Sequence, residues 1–195
     1  MTRVCVLVKA TSPTAFKFFG HRTFLRAALD RLADVRGVDR VVVLVGQAEA
    51  AQVPPAENRE VLAVSGKLAA ASLHGTVPLA AALPQAAGFP VVALLNPLAA
   101  AIKPCRVEEC LELVRARKAD LAHTALRVSS LEVLAQNIAF QARDVPVAGV
   151  IAFRPDKLDV GQKTWARKHR AVLVNRTESL EADDHEDATL IDAMA

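Results

Sequence analysis

The first thirty residues carry the pattern that most restricts how this chain can fold. Residues 4–8 (Val-Cys-Val-Leu-Val) are an unbroken apolar run, typical of a strand that is buried on both faces. A loop that holds Lys9 and Lys17 follows, and apolar residues then recur at helical spacing over residues 23–32. Ligands of open α/β sheets bind beyond the carboxyl ends of the strands. Both lysines are therefore candidates for holding an anionic ligand.

The rest of the chain continues this alternation of strands and helices. Proline is expected to kink or end the helix over 76–87 at Pro84. A turn at 143–146 separates two late strands that we expect to be antiparallel. The pattern predicts an α/β fold, a Rossmann-like three-layer sandwich with a mainly parallel sheet and a late antiparallel element. Strands are predicted at 38–45, 60–64, 90–95, 120–128, 138–142, 147–153 and 171–174, and helices after 65–67 and at 76–87, 107–117 and 185–194.

Composition fits one domain over residues 1–195. The chain is 52% apolar and has a formal net charge of only +3, which is too small to indicate nucleic acid. The three cysteines have no metal-like spacing. No signal peptide and no apolar run of membrane-spanning length are seen, so we expect a soluble cytoplasmic protein.

Several segments, in their order and spacing, resemble motifs of one enzyme family. These are Lys-Phe-Phe-Gly-His-Arg-Thr-Phe-Leu at 17–25, Leu-Leu-Asn-Pro-Leu-Ala at 94–99, an Ala-Asp segment at 119–122, Ala-Gly-Val-Ile-Ala-Phe at 148–153 and an acidic segment at 180–187. Together they resemble the cytidylyltransferases that activate acidic sugars, typified by CMP-sialic acid and CMP-KDO synthetases. The resemblance implies the nucleotide-diphospho-sugar transferase-like fold over nearly the whole chain.

The same resemblance implies a function. It predicts a transferase that uses Mg²⁺ to couple a nucleoside triphosphate, CTP first, to a small anionic acceptor such as a sugar acid, with release of pyrophosphate. It also implies a homodimer, with residues 138–170 as a dimerisation or acceptor subregion. No membrane partner is expected, and nucleic acid is not expected because the basic region at 154–176 lacks interleaved stacking aromatics. A solvated basic face explains that region equally well.

Phosphate binding is assigned to residues of the first loop. Lys9, which follows the buried strand, and Lys17, which matches the second basic residue of the family loop, are the candidate catalytic cations. Thr11 and Ser12 are candidate donors to phosphate. Solvated lysines and an ordinary turn are the alternative explanations.

The other candidate residues follow from the resemblance. Glu181 and Asp183 match the two acids of the closing motif and are the candidate Mg²⁺ ligands, although helix capping also explains the acids near 183. Asn96 takes the place of a strand-end glutamine that contacts ribose or acceptor. The remaining candidate substrate-binding residues are Arg22, Lys67 and Ser72, of which the last two lie where the family reads the base.

Two other functions stay open at this point. The loop from Lys9 has no glycine before Gly20, whereas backbone amides that approach a triphosphate closely usually need glycine. This departure favours a catalytically silent relative that binds a nucleotide or serves in assembly. A GTP-using nucleotidyltransferase of cofactor biosynthesis is the third possibility.

Overall fold

The computed structural model describes residues 2–128, 143–158 and 166–182. Its α-helices are α1 (Phe24–Ala33), α2 (Gly66–Ala70), α3 (Leu73–Ala81) and α4 (Pro104–Arg115). Short 3-10 turns lie at Pro13–Phe16, Ala50–Gln52, Pro84–Ala86 and Pro155–Lys157. The strands are β1 (Val4–Ala10), β2 (Phe18–Phe19), β3 (Arg22–Thr23), β4 (Arg40–Val45), β5 (Arg59–Ala63), β6 (Val91–Leu95), β7 (Leu121–Val128), β8 (Arg143–Phe153) and β9 (His169–Val174).

Seven of these strands form one mixed sheet in the order β5-β4-β1-β6-β8-β7-β9. β1 pairs in parallel with β4 and β6, β4 with β5, and β7 with β9. β8 alone runs antiparallel to its neighbours β6 and β7. The predicted Rossmann-like architecture with a late antiparallel element is therefore confirmed.

β1 lies in the middle of the hydrophobic core, as its apolar run predicts. Its side chains alternate between two apolar clusters: Val6 lies with residues of α1 and α4, and Leu7 lies with residues of α3. Both side chains are fully buried. Because consecutive side chains of a strand point to opposite faces, the sheet has a helical layer on each side.

The predicted helix at 76–87 begins earlier and ends earlier in the structure. Ser72 is the N-cap of α3, and its hydroxyl accepts a hydrogen bond from the Gly75 amide at 3.1 Å. Capping by serine satisfies an amide that the first helical turn leaves without a partner. α3 ends at Ala81, and Pro84 opens a separate turn.

The predicted turn at 143–146 is wrong, because these residues belong to β8. Arg143 to Pro146 pair with β7, whereas β6 pairs only with Val150 and the residues after it. Pro146 therefore lies where β8 is hydrogen-bonded on one side, and a strand tolerates a missing amide donor there. The strand predicted at 138–142 and the helix predicted at 185–194 lie outside the described residues.

A bulge in β8 is held by the hydroxyl of Thr124. The register with β7 shifts between His123 and Ala125, which pair with Ile151 and Pro146. Thr124 is fully buried, and its Oγ1 accepts a hydrogen bond from the Val150 amide at 3.1 Å. The Thr124 hydroxyl therefore accepts from the Val150 amide, which the shifted register leaves without a backbone partner on β7.

None of the helices among the described residues is long and apolar enough to cross a membrane.

A single domain over residues 1–195 stays a prediction.

Replacing Thr124 by valine tests whether its hydroxyl stabilises the bulge. The change keeps the shape but removes the acceptor of the Val150 amide, so we expect a loss of about 1–3 kcal/mol in the free energy of unfolding. Urea denaturation measures this loss. Thr124→Ser, which keeps the hydroxyl, is the matched control and should lose clearly less; equal losses in both variants would contradict the explanation.

Candidate functional site

A pocket of about 280 Å³ opens at the carboxyl ends of β1 and β6. β1 contributes Lys9 and the segment that follows it, and β6 is followed by Asn96. The other walls come from the start of α3, the bulge of β8 and the segment after β9. The residues that line the pocket are Lys9, Thr11, Ser12, Ala71, Ser72, Leu73, Asn96, Leu98, Ala148 and Glu181.

Lys9 is held at the end of β1 by two oxygens. Its Nζ donates to Thr11 Oγ1 at 2.8 Å and to the carbonyl of Ala69 at 3.1 Å. Thr11 Oγ1 donates to the same carbonyl at 3.0 Å. Burial lowers the pKa of the Lys9 ammonium below its ordinary value. An ammonium has three N–H donors, so these two contacts leave one for a ligand in the pocket.

Asn96 connects the end of β6 to Glu181. Its Oδ1 accepts from the Leu98 amide at 3.1 Å, which fixes the orientation of the side-chain amide, and its Nδ2 donates to Glu181 Oε1. The Ala182 amide donates to the Leu98 carbonyl at 3.0 Å, so the segment after β9 is fastened to the same loop. These contacts bring the Glu181 carboxylate into the lining of the pocket that Lys9 also lines.

Two serine hydroxyls of the lining accept hydrogen bonds from backbone amides. Ser12 Oγ accepts from the Thr14 amide at 3.3 Å, and Ser72 Oγ accepts from the Gly75 amide at 3.1 Å. Both serines therefore cap local turns, as the alternative explanation for Ser12 predicts. A hydroxyl that accepts in this way keeps its own hydrogen as a donor.

The structure brings six of the predicted site residues to one pocket: Lys9, Thr11, Ser12, Ser72, Asn96 and Glu181. Lys17 is exposed and does not line it, and neither does exposed Lys67 on α2. Arg22 lies on the β2–β3 hairpin, where its guanidinium is 3.5 Å from the carboxylate of Asp30. Asp183 lies outside the described residues. The roles assigned to all ten residues stay predictions.

Glu181 is the carboxylate with which the described lining could contact a divalent cation. Carboxylate oxygen is a preferred ligand of Mg²⁺ and Mn²⁺. The described residues contain no group of three or more histidine, cysteine, aspartate or glutamate side chains arranged to hold a metal. These donors therefore suit a cation that binds together with a phosphate ligand. They are less suited to a closed structural metal site, in which the protein supplies all the ligands.

Sequence reasoning missed the apolar wall of the pocket. Leu73, Leu98 and Ala148 come from α3, the loop after β6 and the bulge of β8. A pocket with one apolar wall and a few polar groups suits a small organic ligand. Leu98 and Ala148 lie in segments that resemble family motifs, but nothing in the sequence identifies the three residues as ligand contacts, because the position of each depends on the topology of the sheet.

Comparison with solved structures identifies the fold. CMP:2-keto-3-deoxy-manno-octonic acid synthetase complexed with CTP matches with a TM-score of 0.70 at 13% identity, covering 100% of this chain and 98% of that one. The 2-C-methyl-D-erythritol 4-phosphate cytidylyltransferase of Thermus thermophilus matches with a TM-score of 0.65 at 19% identity, covering 97% and 96%. Rv0371C of Mycobacterium tuberculosis, in complex with manganese, matches with a TM-score of 0.62 at 17% identity, covering 100% of both chains.

No protein-family model matches the sequence, and no curated protein matches it. The likeness is therefore one of fold. The chain has the cytidylyltransferase-like fold that its motifs predict.

A double-mutant cycle tests the contact of Lys9 and Thr11 with the Ala69 carbonyl. Either residue alone still satisfies this oxygen, so Lys9→Met and Thr11→Val should each cost about 0.5–1.5 kcal/mol of unfolding free energy. The double variant leaves the carbonyl without both donors and should cost more than the sum. Chemical denaturation of the four proteins gives the coupling energy; simple additivity would show that the two donors act independently.

Proposed function

We propose that this protein is a CTP-dependent nucleotidyltransferase that couples the nucleotide to a small anionic acceptor, such as a sugar acid. The observation that carries the proposal is that Lys9 and Glu181 line one pocket at the carboxyl ends of β1 and β6. The fold supports it, since neighbours include a synthetase complexed with CTP and a cytidylyltransferase. A homodimer is part of the proposal and rests on the sequence resemblance.

In the proposed reaction a negatively charged oxygen of the acceptor attacks the α-phosphorus of CTP. A new P–O bond forms, the bond between the α-phosphorus and the bridging oxygen breaks, and pyrophosphate leaves with that electron pair. Such a step needs positioning and fixed positive charge more than covalent help from the protein. The Lys9 ammonium, which Thr11 and the Ala69 carbonyl hold in place, neutralises phosphate charge without having to be ordered first.

Glu181 has the role of a metal ligand in this proposal, with Asp183 as its partner. A bound divalent cation, Mg²⁺ or Mn²⁺, would neutralise charge on the phosphate oxygens. The neighbour in complex with manganese supports a divalent metal of this kind. Asn96 orients the Glu181 carboxylate by donating to Oε1, and the Leu98 amide fixes Asn96.

The other predicted site residues are assigned contacts with the nucleotide or the acceptor. Ser12 donates its hydroxyl hydrogen to a phosphate oxygen, and Ser72 donates its own to the nucleotide base. Lys17, on the loop that precedes α1, contacts phosphate, Arg22 of the β2–β3 hairpin contacts the substrate, and Lys67 of α2 contacts the base. These assignments rest on the resemblance and on the position of the serines in the pocket.

The charge of the lining supports a second candidate, a relative that binds a nucleotide without catalysis. Among the described residues that line the pocket, Lys9 is the one cation, and it is already bonded to Thr11 and the Ala69 carbonyl. A triphosphate usually needs several cations or backbone amides. Measuring binding and turnover separately decides between the two functions.

Replacement of Lys9 by methionine tests the first candidate. Thermal shifts with CTP, GTP, ATP and UTP, each with and without Mg²⁺ or Mn²⁺, identify the nucleotide, because a ligand at 100 times its Kd stabilises the native state by about 2.7 kcal/mol. We expect CTP with metal to give the largest shift and Lys9→Met to lose it, with a fall in pyrophosphate release of at least about 100-fold.

Lys118→Met is the matched control, because Lys118 is exposed and lines a different groove, between α4 and β9. It should behave as the wild type does. A nucleotide shift without pyrophosphate release from any tested acid would support the silent relative. Absence of a shift with all four nucleotides would contradict both candidates.

Replacement of Asn96 by alanine tests the orientation of Glu181. Residues that orient a metal ligand usually change metal affinity by about 10- to 100-fold. We therefore expect Asn96→Ala to raise the Mn²⁺ concentration for half-maximal nucleotide stabilisation by this factor, and Glu181→Gln to raise it at least as far. Equal metal dependence in wild type, Asn96→Ala and Glu181→Gln would exclude this carboxylate as the ligand.

A further inference from the structure

Three histidines from distant parts of the chain meet at one place outside the pocket. His74 lies in the first turn of α3, His123 on β7 and His169 at the start of β9. His169 Nε2 lies 2.8 Å from His123 Nδ1, and the two rings stack with centroids 4.5 Å apart. The ring of His74 stands edge-on to that of His123, with centroids 6.0 Å apart. The proposed transfer reaction uses none of these side chains.

The contact between His123 and His169 depends on their protonation. A hydrogen bond between two ring nitrogens needs one donor and one acceptor, so the pair can share one proton. When both rings are doubly protonated, both nitrogens carry hydrogen and two positive charges face each other. The contact is then lost. The contact between His123 and His169 therefore persists while at least one of the two facing nitrogens lacks hydrogen, and protonation of both rings separates the pair.

The surroundings keep the cluster neutral. The pKa of His123 is lowered to about 4, first by burial and then by the charges of His169 and His74, while Asp144 on β8 and a backbone hydrogen bond with Arg170 act in the opposite direction. Burial, followed by the charge of His169, also lowers the pKa of His74, and burial lowers that of His169. His74 is moreover the second residue of α3, where the helix dipole disfavours positive charge.

The cluster is adjacent in the chain to the pocket wall. Ser72 caps α3 and lines the pocket, Leu73 lines it as well, and His74 is the next residue. His123 is only 4% exposed, whereas His169 lies at the surface and gives protons a route to the cluster. A displacement of His74 acts directly on the helical turn that supplies one wall of the pocket.

We propose that His74, His123 and His169 form a pH-sensitive clasp, which fastens the first turn of α3 to β7 and β9 while the imidazoles are neutral and releases it on acidification.

The direction of the pH effect follows from the lowered pKa of His123. The unfolded chain takes up the proton near pH 6.5, whereas the folded protein does so near pH 4. The contribution of the clasp is therefore complete above about pH 6.5 and declines as the pH falls towards about 4. Between pH 7.5 and pH 5 this one group changes the unfolding equilibrium constant by up to about 30-fold.

His123→Asn tests the clasp, because an asparagine side chain can bond to His169 without titrating. We expect the wild type to lose stability between pH 7.5 and pH 5 by up to about 30-fold more than the variant, measured by urea denaturation. His21→Asn, at an exposed site on the β2–β3 turn, is the control and should follow the wild type. His169→Gln, at the exposed start of β9, serves as the second variant if His123→Asn does not fold.

Two ligand-free measurements decide the outcome. In NMR titration of the wild type, the ring signal of His123 should titrate below pH 5. In hydrogen exchange corrected for intrinsic rates, the amides of α3 should lose protection at pH 5 in the wild type and keep it in His123→Asn. Titration of His123 near pH 6.5, parallel loss of stability in both proteins, or unchanged protection of α3 would each overturn the proposal.

The effect of the clasp on the pocket rests on the proposed function. CTP should stabilise the wild type less at pH 5 than at pH 7.5, and His123→Asn should remove most of this difference. If CTP binds at neither pH, the proposed function fails, while the exchange of α3 still decides the clasp. If CTP binds and its pH dependence is the same in both proteins, the clasp does not regulate the pocket.

Discussion

Parallel pairing between β1 and β6 is the constraint on which the pocket depends. Val8 lies opposite Leu95 in this register, so Lys9 and Asn96 follow on the same edge of the sheet. The antiparallel pairing of β6 with β8 then brings the bulge beside them, and the Gly149 carbonyl accepts a hydrogen bond from the Asn96 amide at 2.9 Å. Strand packing, rather than any loop motif, therefore places the first polar groups of the site.

The bulge of β8 packs closely against its neighbours at this edge of the sheet. A Cβ on Gly149 would lie 2.7 Å from Ile102 Cδ1 and 2.8 Å from Thr124 Oγ1, far inside normal contact. The backbone of β8 thus approaches its neighbours as closely as glycine permits. Gly149 also supplies the carbonyl that accepts from the Asn96 amide, and the Asn96 side chain donates to Glu181. A chain of contacts therefore links the packing of the bulge to the orientation of the Glu181 carboxylate.

The sequence predicted what depends on local pattern and strand ends. Apolar runs identified β1, β4 and β6, the end of β1 led to Lys9, and the family resemblance led to Asn96, which shares the pocket with Lys9. It did not predict what depends on pairing. Pro146 indicated a turn because the one-sided pairing of β8 could not be foreseen, and the cluster around His123 needs the parallel pairing of β7 with β9.

The loop after β1 lacks glycine before Gly20, yet the pocket keeps donors of another kind. Ser12 and Ser72 each accept a hydrogen bond from a backbone amide, which draws electron density from the hydroxyl oxygen and leaves its hydrogen available to a ligand oxygen. Thr11 differs, because its hydrogen already bonds to the Ala69 carbonyl. Two side-chain hydroxyls and one lysine therefore supply donors to the pocket where glycine-rich loops present amides. Lys9 is bonded to the Ala69 carbonyl of α2, and Ser72 is the N-cap of α3, so the affinity of the site for a ligand depends on how firmly those helices are attached to the sheet.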